Sequence, residues 1–486
     1  MRMGSATQRR IQAWLPGEPP NFDPQAGVDE WSYRIHIGWL EGLTRTDRTG
    51  RTVPALAADW EADGSHTELV VRLRTEATWS DGRPITAEDV RFGVLRALHP
   101  DHGLRAAWQM YVLEGAEEYH KGRAGPPVGV SVESSDTVRF VFDEPVPYVP
   151  QLWTLPPFAP LRADVMDGVS APPVTEMPSS GPFDLVEYRE GDLVRLVRND
   201  RYWDRELTPP DEVVVRLGGD PVERFLAGEV DLADTSERRV AEIDPDCVTR
   251  TPECSIVYML VNAGDPQLAD GRVRAAIAAA VEPEEVASRA APACVPLTRL
   301  VPRSDGTSGY LAATRQVTVP RDADTAPLAG LSLSLLCGDN TDNRAEAEVV
   351  AGQLAASGAD VRVVPRGYAE RYTSIRQGDY QIAIVAWKAD FDSPLAFLRE
   401  HVSDRAAGNQ SKWSDGTYNR LVAEARATGD PGRRDSLLAR AEHRLLASHH
   451  VIPLLQRVRT WLRRPGLEGV VFRQAGVAPE LRWASW

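Results

Sequence analysis

Short stretches of alternating apolar and polar residues recur along the chain and predict half-buried β-strands. Residues 69–73 (LVVRL) and 137–142 (TVRFVF) show this period of two. Other stretches repeat their apolar residues at helical spacing, namely residues 272–281 and residues 435–447, where leucine and alanine share one face opposite charges. A strand is predicted directly after the second helix, at 452–458. The pattern therefore predicts a mixed α and β protein.

The length of the chain predicts more than one hydrophobic core. Its 486 residues exceed the roughly 250–300 residues at which a single core stops growing, so we expect at least two lobes. Breaks rich in proline and glycine lie at 125–129, 156–160, 171–182 and 303–309, and each is a possible lobe boundary on composition alone. No repeat period is found, which excludes solenoids and propellers.

The charge of the chain excludes one class of partner. Seventy acidic residues against 55 basic ones give a formal charge of −15, which repels phosphate backbones, so we expect no nucleic-acid partner. No run of about eighteen apolar residues occurs, so no membrane-spanning helix is predicted. Residues 1–10 carry three arginines but lead into no secretory apolar region. Either an export signal was removed from the chain, or the protein stays in the cytoplasm.

No catalytic motif, cofactor motif or metal motif is found, so we predict no catalytic residues, no cofactor and no metal site. The nine histidines occur without a G-x-S-x-G elbow, an H-E-x-x-H pair or a phosphate-binding glycine loop. His449 and His450 are explained by a helix end, where the helix dipole favours cations. His36 stands between two isoleucines and either lines a cleft or is buried and hydrogen-bonded.

The cysteines and the tryptophans leave alternatives open. Four cysteines without C-x-x-C spacing indicate buried small side chains, although a local disulfide between Cys247 and Cys254 stays possible. Thirteen tryptophans are a high count, and several stand beside turn residues, as Trp387 does. Aromatic rings near loops either form ligand walls or pack in the core.

A series of motifs in a fixed order resembles the extracellular solute-binding protein family 5, which serves ABC importers of oligopeptides, dipeptides and nickel. The most specific part is the block formed by the third to fifth motifs. The series covers nearly the whole chain: 19–24 (PPNFDP), 39–43 (WLEGL), 55–60 (ALAADW), 69–74 (LVVRLR), 79–90 (WSDGRPITAEDV), 180–203 (SGPFDLVEYREGDLVRLVRNDRYW), 228–231 (GEVD), 272–277 (RVRAAI) and 387–394 (WKADFDSP).

The resemblance implies a two-lobed α/β fold of the periplasmic-binding-protein type II, in the large peptide-binder class with an extra subdomain. By alignment, the chain crosses between lobes near Cys254 and Val458. The implied parts are lobe I at 1–254 and 459–486, its extra subdomain at about 45–155, and lobe II at 255–458.

The implied function is that of a solute-binding protein, which captures a peptide or peptide-like ligand between its lobes for an ABC importer. Its partners would be this ligand and an ABC permease, and the protein would be an extracytoplasmic monomer. Two alternatives remain: a cytoplasmic descendant that uses the same cleft as a biosynthetic or editing enzyme, and a ligand sensor.

The resemblance also implies which residues bind the ligand. Asp390 would pair with the α-ammonium of a peptide, unless it is only a turn-forming aspartate. Trp387 and Tyr368 would be pocket walls. A strand at 27–31 would face them. The remaining predicted ligand contacts are Val28, Asp29, Glu30, His36, Lys388 and Ala389.

Lys388 departs from the family pattern. In oligopeptide binders of the best-known type, a cysteine at this position forms a disulfide with a cysteine that matches Cys254. Because this chain has Lys388 there, it cannot form that disulfide. A cation two residues from Asp390 would weaken amine binding if it points inward, or would hold a ligand carboxylate instead.

Overall fold

The chain divides into two compact units in a computed structural model that describes residues 9–20, 22–27, 29–125, 128–166, 174–207, 209–402 and 410–486. Unit 1 comprises Met1–Thr251 and Thr460–Trp486, and unit 2 comprises Pro252–Arg459. Both boundaries fall inside long strands, Val248–Val261 and Val451–Arg463, and not at any of the proline- and glycine-rich breaks. At both boundaries the backbone stays hydrogen-bonded within a strand, so no flexible linker rich in proline and glycine is needed there. The composition of the chain therefore does not indicate where the units divide.

The main sheet of unit 1 combines parallel and antiparallel pairs. The first strand, Arg10–Leu15, lies parallel to both of its neighbours, and its residues Ala13 and Leu15 join a core with Trp39 and Phe183. The segment Thr460–Arg463 closes the sheet antiparallel to its neighbour. From that segment outwards the order of strands is Leu232–Thr235, Arg10–Leu15, Glu212–Leu217, Leu193–Arg198 and Phe183–Arg189.

A separate four-stranded antiparallel sheet lies within the predicted extra-subdomain segment of unit 1. The strands predicted at 69–73 and 137–142 are confirmed as Glu68–Leu73 and Thr137–Val141, which pair with each other. The helix Ala87–Leu98 packs on this sheet and begins with a capping box formed by Thr86 and Asp89. The order of strands is Ala57–Ala62, Glu68–Leu73, Thr137–Val141 and Val130–Ser134. A two-stranded hairpin, Thr44–Thr46 with Thr52–Pro54, precedes it.

The sheet of unit 2 brings three strand ends to one edge. The strands Asp360–Arg366, Ser332–Gly338 and Ile382–Lys388 are parallel to their neighbours in this order, and Val248–Val261 follows antiparallel. Parallel strands end at the same edge of a sheet, where loops of α/β proteins gather ligands. We call this edge, at which these three strands end, the carboxyl edge.

The two predicted helices are confirmed as Gly271–Ala280 and Pro431–Ala447. The second begins earlier than its apolar pattern because Asp430 caps it and Pro431 is its first residue. The strand predicted after it is confirmed within Val451–Arg463. The other helices are Glu30–Trp39, Ala116–His120, Val149–Leu152, Ala163–Met166, Pro221–Leu226, Pro283–Ala290, Ser308–Ala313, Thr341–Ala356, Tyr368–Gln377, Leu395–Leu398 and Gly416–Ala427.

Several residues of the recognised motifs hold unit 1 together. Glu41 accepts hydrogen bonds from the hydroxyl of Tyr202 and from Arg482 Nη1, the latter at 2.8 Å, and all three side chains are buried. Gly181 packs against the backbone of Trp39, where an added Cβ would lie 2.8 Å from the Trp39 carbonyl carbon. These motif positions are therefore explained by packing and buried hydrogen bonds.

The structure corrects the interpretation of His449 and His450 as cations at a helix end. His449 Nε2 lies 3.1 Å from the carbonyl oxygen of Pro320, and His450 Nδ1 lies 3.0 Å from that of Val261. Burial lowers the pKa of both histidines, that of His450 to about 4, so both are neutral near neutral pH.

The four cysteines are free thiols, so the disulfide between Cys247 and Cys254 that the sequence left open is not formed. Burial raises the pKa of both thiols, which keeps them protonated. In the part of the chain that the structure describes, no helix is both long and apolar enough to cross a lipid bilayer.

Candidate functional site

The carboxyl edge of unit 2 carries five of the predicted site residues. Trp387 and Lys388 end the strand Ile382–Lys388, and the next two residues, Ala389 and Asp390, begin the loop that follows. Tyr368 follows the strand Asp360–Arg366, which ends at the same edge. The sheet therefore gathers side chains that are about twenty residues apart in sequence.

Backbone and indole hydrogen bonds fix the position of Asp390. The amide of Ala389 donates to the carbonyl of Cys254 at 2.8 Å, which continues the strand pairing by one residue, and Ala389 itself is buried. The indole Nε1 of Trp387 donates to the carbonyl of Ala396 at 3.1 Å. Because its ring ties the strand to the helix Leu395–Leu398, Trp387 is part of the frame of the loop.

The far side of this loop is held by Asp392. One carboxylate oxygen of Asp392 accepts from the amide of Gly306 at 2.8 Å, and the other accepts from the hydroxyl of Ser304. A Cβ at Gly306 would lie 2.3 Å from the Asp392 carbonyl oxygen, so only glycine permits this approach. The loop is thus fixed on both sides of Asp390.

The carboxylate of Asp390 already faces a cation. Arg399 Nη2 lies 3.5 Å from Asp390 Oδ2, and 24% of the Asp390 side chain is exposed. Arg399 also donates from Nε to Glu400 at 3.1 Å, and its guanidinium carbon lies 5.0 Å from the centre of the Phe391 ring. Burial raises the pKa of Asp390, and the charge of Arg399 acts in the opposite direction. The site therefore presents an arginine–aspartate pair.

A second ionic cluster lies beside the first. Lys388 Nζ is 3.3 Å and Arg459 Nη2 is 3.0 Å from the same oxygen of Glu253, and most of the surface of all three side chains is covered. In the antiparallel register, Lys388 lies opposite Ser255. One carboxylate thus serves two cations, and Lys388 is engaged within the protein.

Tyr368 is the exposed aromatic residue of the carboxyl edge. Three quarters of its surface is accessible, at 75%. Its ring is stacked with that of Tyr372 at a centroid distance of 6.2 Å, and the guanidinium of Arg376 lies 5.7 Å from the Tyr372 ring. Because the neighbouring ring holds it in place, the exposed ring offers a ligand a flat apolar surface, and its side chain loses little conformational entropy when the ligand binds.

In unit 1 the predicted strand at 27–31 is wrong. The helix Glu30–Trp39 begins there, and Asp29 is its N-cap, accepting from the amides of Trp31 at 3.0 Å and Ser32 at 2.9 Å. An aspartate followed by a glutamate in the first turn is typical of the start of a helix. This local pattern was the correct indication, and the strand implied by the family resemblance was not. Val28, also a predicted contact, lies outside the described residues.

Glu30 and His36 have structural partners in unit 1. Glu30 accepts from Arg34 at 2.9 Å, and Arg34 also contacts Asp234 at 2.8 Å. His36 has no accessible surface, and its Nε2 lies 3.1 Å from the carbonyl of Phe22. The structure thus gives His36 a buried, hydrogen-bonded position, and its contact with a ligand stays a prediction.

Arg399, Glu253 and Arg459 were missed by reasoning from the sequence. Arg399 follows Asp390 by nine residues, and the short helix Leu395–Leu398 turns the chain back to bring the two together. The apolar run of that helix directly after the aspartate loop was the available signal. Nothing in the spacing of Glu253 and Arg459 pairs them, since they lie more than two hundred residues apart.

The arrangement at the carboxyl edge suits binding through charges, hydrogen bonds and aromatic contact. The carboxylates of Asp390 and Glu253 are already paired with arginine or lysine, and such pairs orient polar groups of a ligand. Among the residues that the structure describes, no group of three or more His, Cys, Asp or Glu is arranged to hold a metal ion.

Sequence comparison relates the chain to known proteins over most of its length. A model of the bacterial extracellular solute-binding proteins, family 5 Middle, matches residues 51–409. The dipeptide-binding protein DppE of Bacillus subtilis (strain 168) is 24% identical over 492 residues, which cover 96% of this chain and 90% of that protein. The periplasmic murein peptide-binding protein MppA of Escherichia coli (strain K12) is 23% identical, with the same two coverages.

Solved structures share the fold. The unliganded open form of the periplasmic murein tripeptide binding protein MppA superposes with a TM-score of 0.82 at 22% identity, covering 99% of this chain and 98% of the other. Listeria monocytogenes OppA bound to peptide superposes with a TM-score of 0.78 at 20% identity, covering 99% of both chains. These likenesses confirm the predicted two-lobed α/β fold of the large peptide-binding class.

Proposed function

Because the chain belongs to family 5 of the bacterial extracellular solute-binding proteins, we propose that it captures a peptide or peptide-like ligand and delivers it to an ABC permease. One observation carries the peptide assignment. The chain matches dipeptide- and oligopeptide-binding relatives over about nine tenths of both lengths. About nine tenths of the length of these relatives therefore has a counterpart in this chain.

The carboxyl edge is the part of unit 2 proposed to contact the ligand. Asp390 with Arg399, and Lys388 with its partner Glu253, provide charged hydrogen-bonding groups. Tyr368 provides exposed aromatic surface. These polar groups would form hydrogen bonds with the backbone of a peptide. Such contacts suit peptides as a ligand class, because all peptides share the same backbone groups.

The proposed place of action is outside the cytoplasmic membrane. Two relatives from Escherichia coli (strain K12), the murein peptide-binding protein MppA and the oligopeptide-binding protein OppA, carry the word periplasmic in their names. We propose that the protein acts there as a monomer that meets its permease transiently. The alternative of a cytoplasmic biosynthetic enzyme has no relative among these comparisons to support it.

Peptide binding is tested by incubating the purified protein with a mixed library of tripeptides to pentapeptides and identifying the retained molecules by mass spectrometry. We expect peptides to be retained, with affinities then measured by calorimetry. Tyr368→Ala should weaken binding by about threefold to tenfold because it removes exposed aromatic contact. Trp108→Ala, an exposed aromatic of unit 1, is the matched control and should change nothing. Retention of a non-peptide compound alone would contradict the proposal.

A further inference from the structure

We propose that Arg399 makes the Asp390 site a receptor for a peptide end without a free ammonium group, namely an N-acylated end. This inference rests on the proposed function. A free α-ammonium is held by a carboxylate whose charge is available to it. Here the charge of Asp390 is shared with Arg399, which lies 3.5 Å away and remains protonated at any physiological pH.

The surrounding charges disfavour a further cation. Near the site, the carboxylates of Asp390, Glu253 and Glu400 each contact at least one cation of the protein. The cations are Arg399, Lys388 and Arg459, and each of them lies within 3.5 Å of one of these carboxylates. An incoming ammonium would have to compete with Arg399 for the Asp390 carboxylate in a largely covered cluster, where like charges are poorly screened.

An acylated end fits the same pair. An amide has one carbonyl oxygen, which accepts hydrogen bonds, and one N–H group, which donates. The arginine–aspartate pair offers the complementary donor and acceptor next to each other, because a guanidinium donates from a planar fork and a carboxylate accepts. The amide would bind without changing the charge of the cluster, and the ring of Phe391 supports the guanidinium from one side.

The test compares two forms of one peptide library, one with free amino ends and one N-acetylated, by competition and calorimetry. The wild-type protein should bind acetylated members at least about tenfold more tightly than the same peptides with free amines. Arg399→Gln should reverse this preference, because Asp390 then lacks its internal cation. Arg420→Gln, on the exposed surface of the helix Gly416–Ala427, is the matched control and should keep the wild-type preference.

Arg399→Lys provides a second variant in case Arg399→Gln does not fold. It keeps the positive charge, so it should still select against free amines, although with weaker binding of the acetylated form. Tighter binding of free amines by the wild type, or equal binding of both forms, would overturn the inference and leave the proposed function standing. If neither library is retained by any variant, the proposed function fails and the inference fails with it.

Discussion

Three histidines are held neutral in the interior of the two units. Burial lowers the pKa of His36, His401 and His450 from 6.5 to about 4. The ring of His401 packs edge-on against Tyr258 at a centroid distance of 5.9 Å. A histidine that resists protonation when folded but accepts a proton when unfolded couples stability to pH.

The free energy of unfolding should therefore fall on acidification. Above pH 6.5 both states hold these histidines neutral and they contribute no pH dependence. As the pH falls from 6.5 to about 4, the unfolded state gains protons that the folded state does not, so stability is lost across this window. Each histidine contributes a slope of up to roughly 1.4 kcal/mol per pH unit.

His36→Gln isolates one of these contributions. Glutamine keeps an N–H donor for the carbonyl of Phe22 but does not titrate, so the variant should lose less stability than the wild type between about pH 7 and pH 4.5. Urea unfolding at several pH values measures the difference. A parallel pH dependence of the two proteins would contradict the assignment of a buried neutral His36.

Gly306 provides a test of the loop that carries Asp390. Gly306→Ala places a Cβ 2.3 Å from the Asp392 carbonyl oxygen, so the loop must move, and affinity for a retained peptide should fall by about tenfold or more. Calorimetry measures the loss. Gly309→Ala is the control, because a Cβ there meets no atom within 4 Å, and it should bind normally. Normal binding by Gly306→Ala would show that the loop does not touch the ligand.

At the level of elements, the helix Pro431–Ala447 anchors a neighbouring turn through one buried carboxylate. Glu442 has no accessible surface and accepts from the amides of Leu300 and Val301, both at 2.9 Å. The hydroxyl of Tyr310 donates to its other oxygen at 2.8 Å. Charged acceptors that serve several buried donors contribute strongly to stability.

Glu442→Ala should therefore lower the free energy of unfolding by about 3–5 kcal/mol, because it leaves these donors and Arg299 without their acceptor. Glu424→Ala, on the exposed face of the neighbouring helix, is the control and should change stability by less than about 0.5 kcal/mol. Urea unfolding followed by circular dichroism compares the two variants. A small effect of Glu442→Ala would mean that water replaces the carboxylate.

At the level of the whole molecule, membership of a solute-binding family predicts that the protein binds its ligand without catalysing a reaction of it. Peptides incubated with the purified protein should be recovered unchanged, because binding that is equally strong for substrate and transition state does not speed a reaction. Mass spectrometry of the peptide pool over time checks this. Products whose formation Asp390→Asn abolishes would contradict the prediction and would point to an enzyme.

The sequence was most informative for segments whose hydrophobic pattern matches the helix or strand that they form. Alternation in 69–73 and helical spacing in 435–447 predicted elements that the structure confirms, since side-chain periodicity follows directly from backbone geometry. The order of motifs was sufficient to predict the family and its fold. It did not reveal that Glu41 and Gly181 serve packing, because a motif does not state what its residues contact.

By itself, then, the sequence determined the fold class and the family, and it located the loop that contains Asp390. Only the tertiary structure decided that Asp29 caps a helix, that His36 is buried, and that Arg399 faces Asp390. The physical reason is that periodicity and composition are local properties of the chain. The charge that a carboxylate offers to a ligand depends instead on which cation folding places beside it.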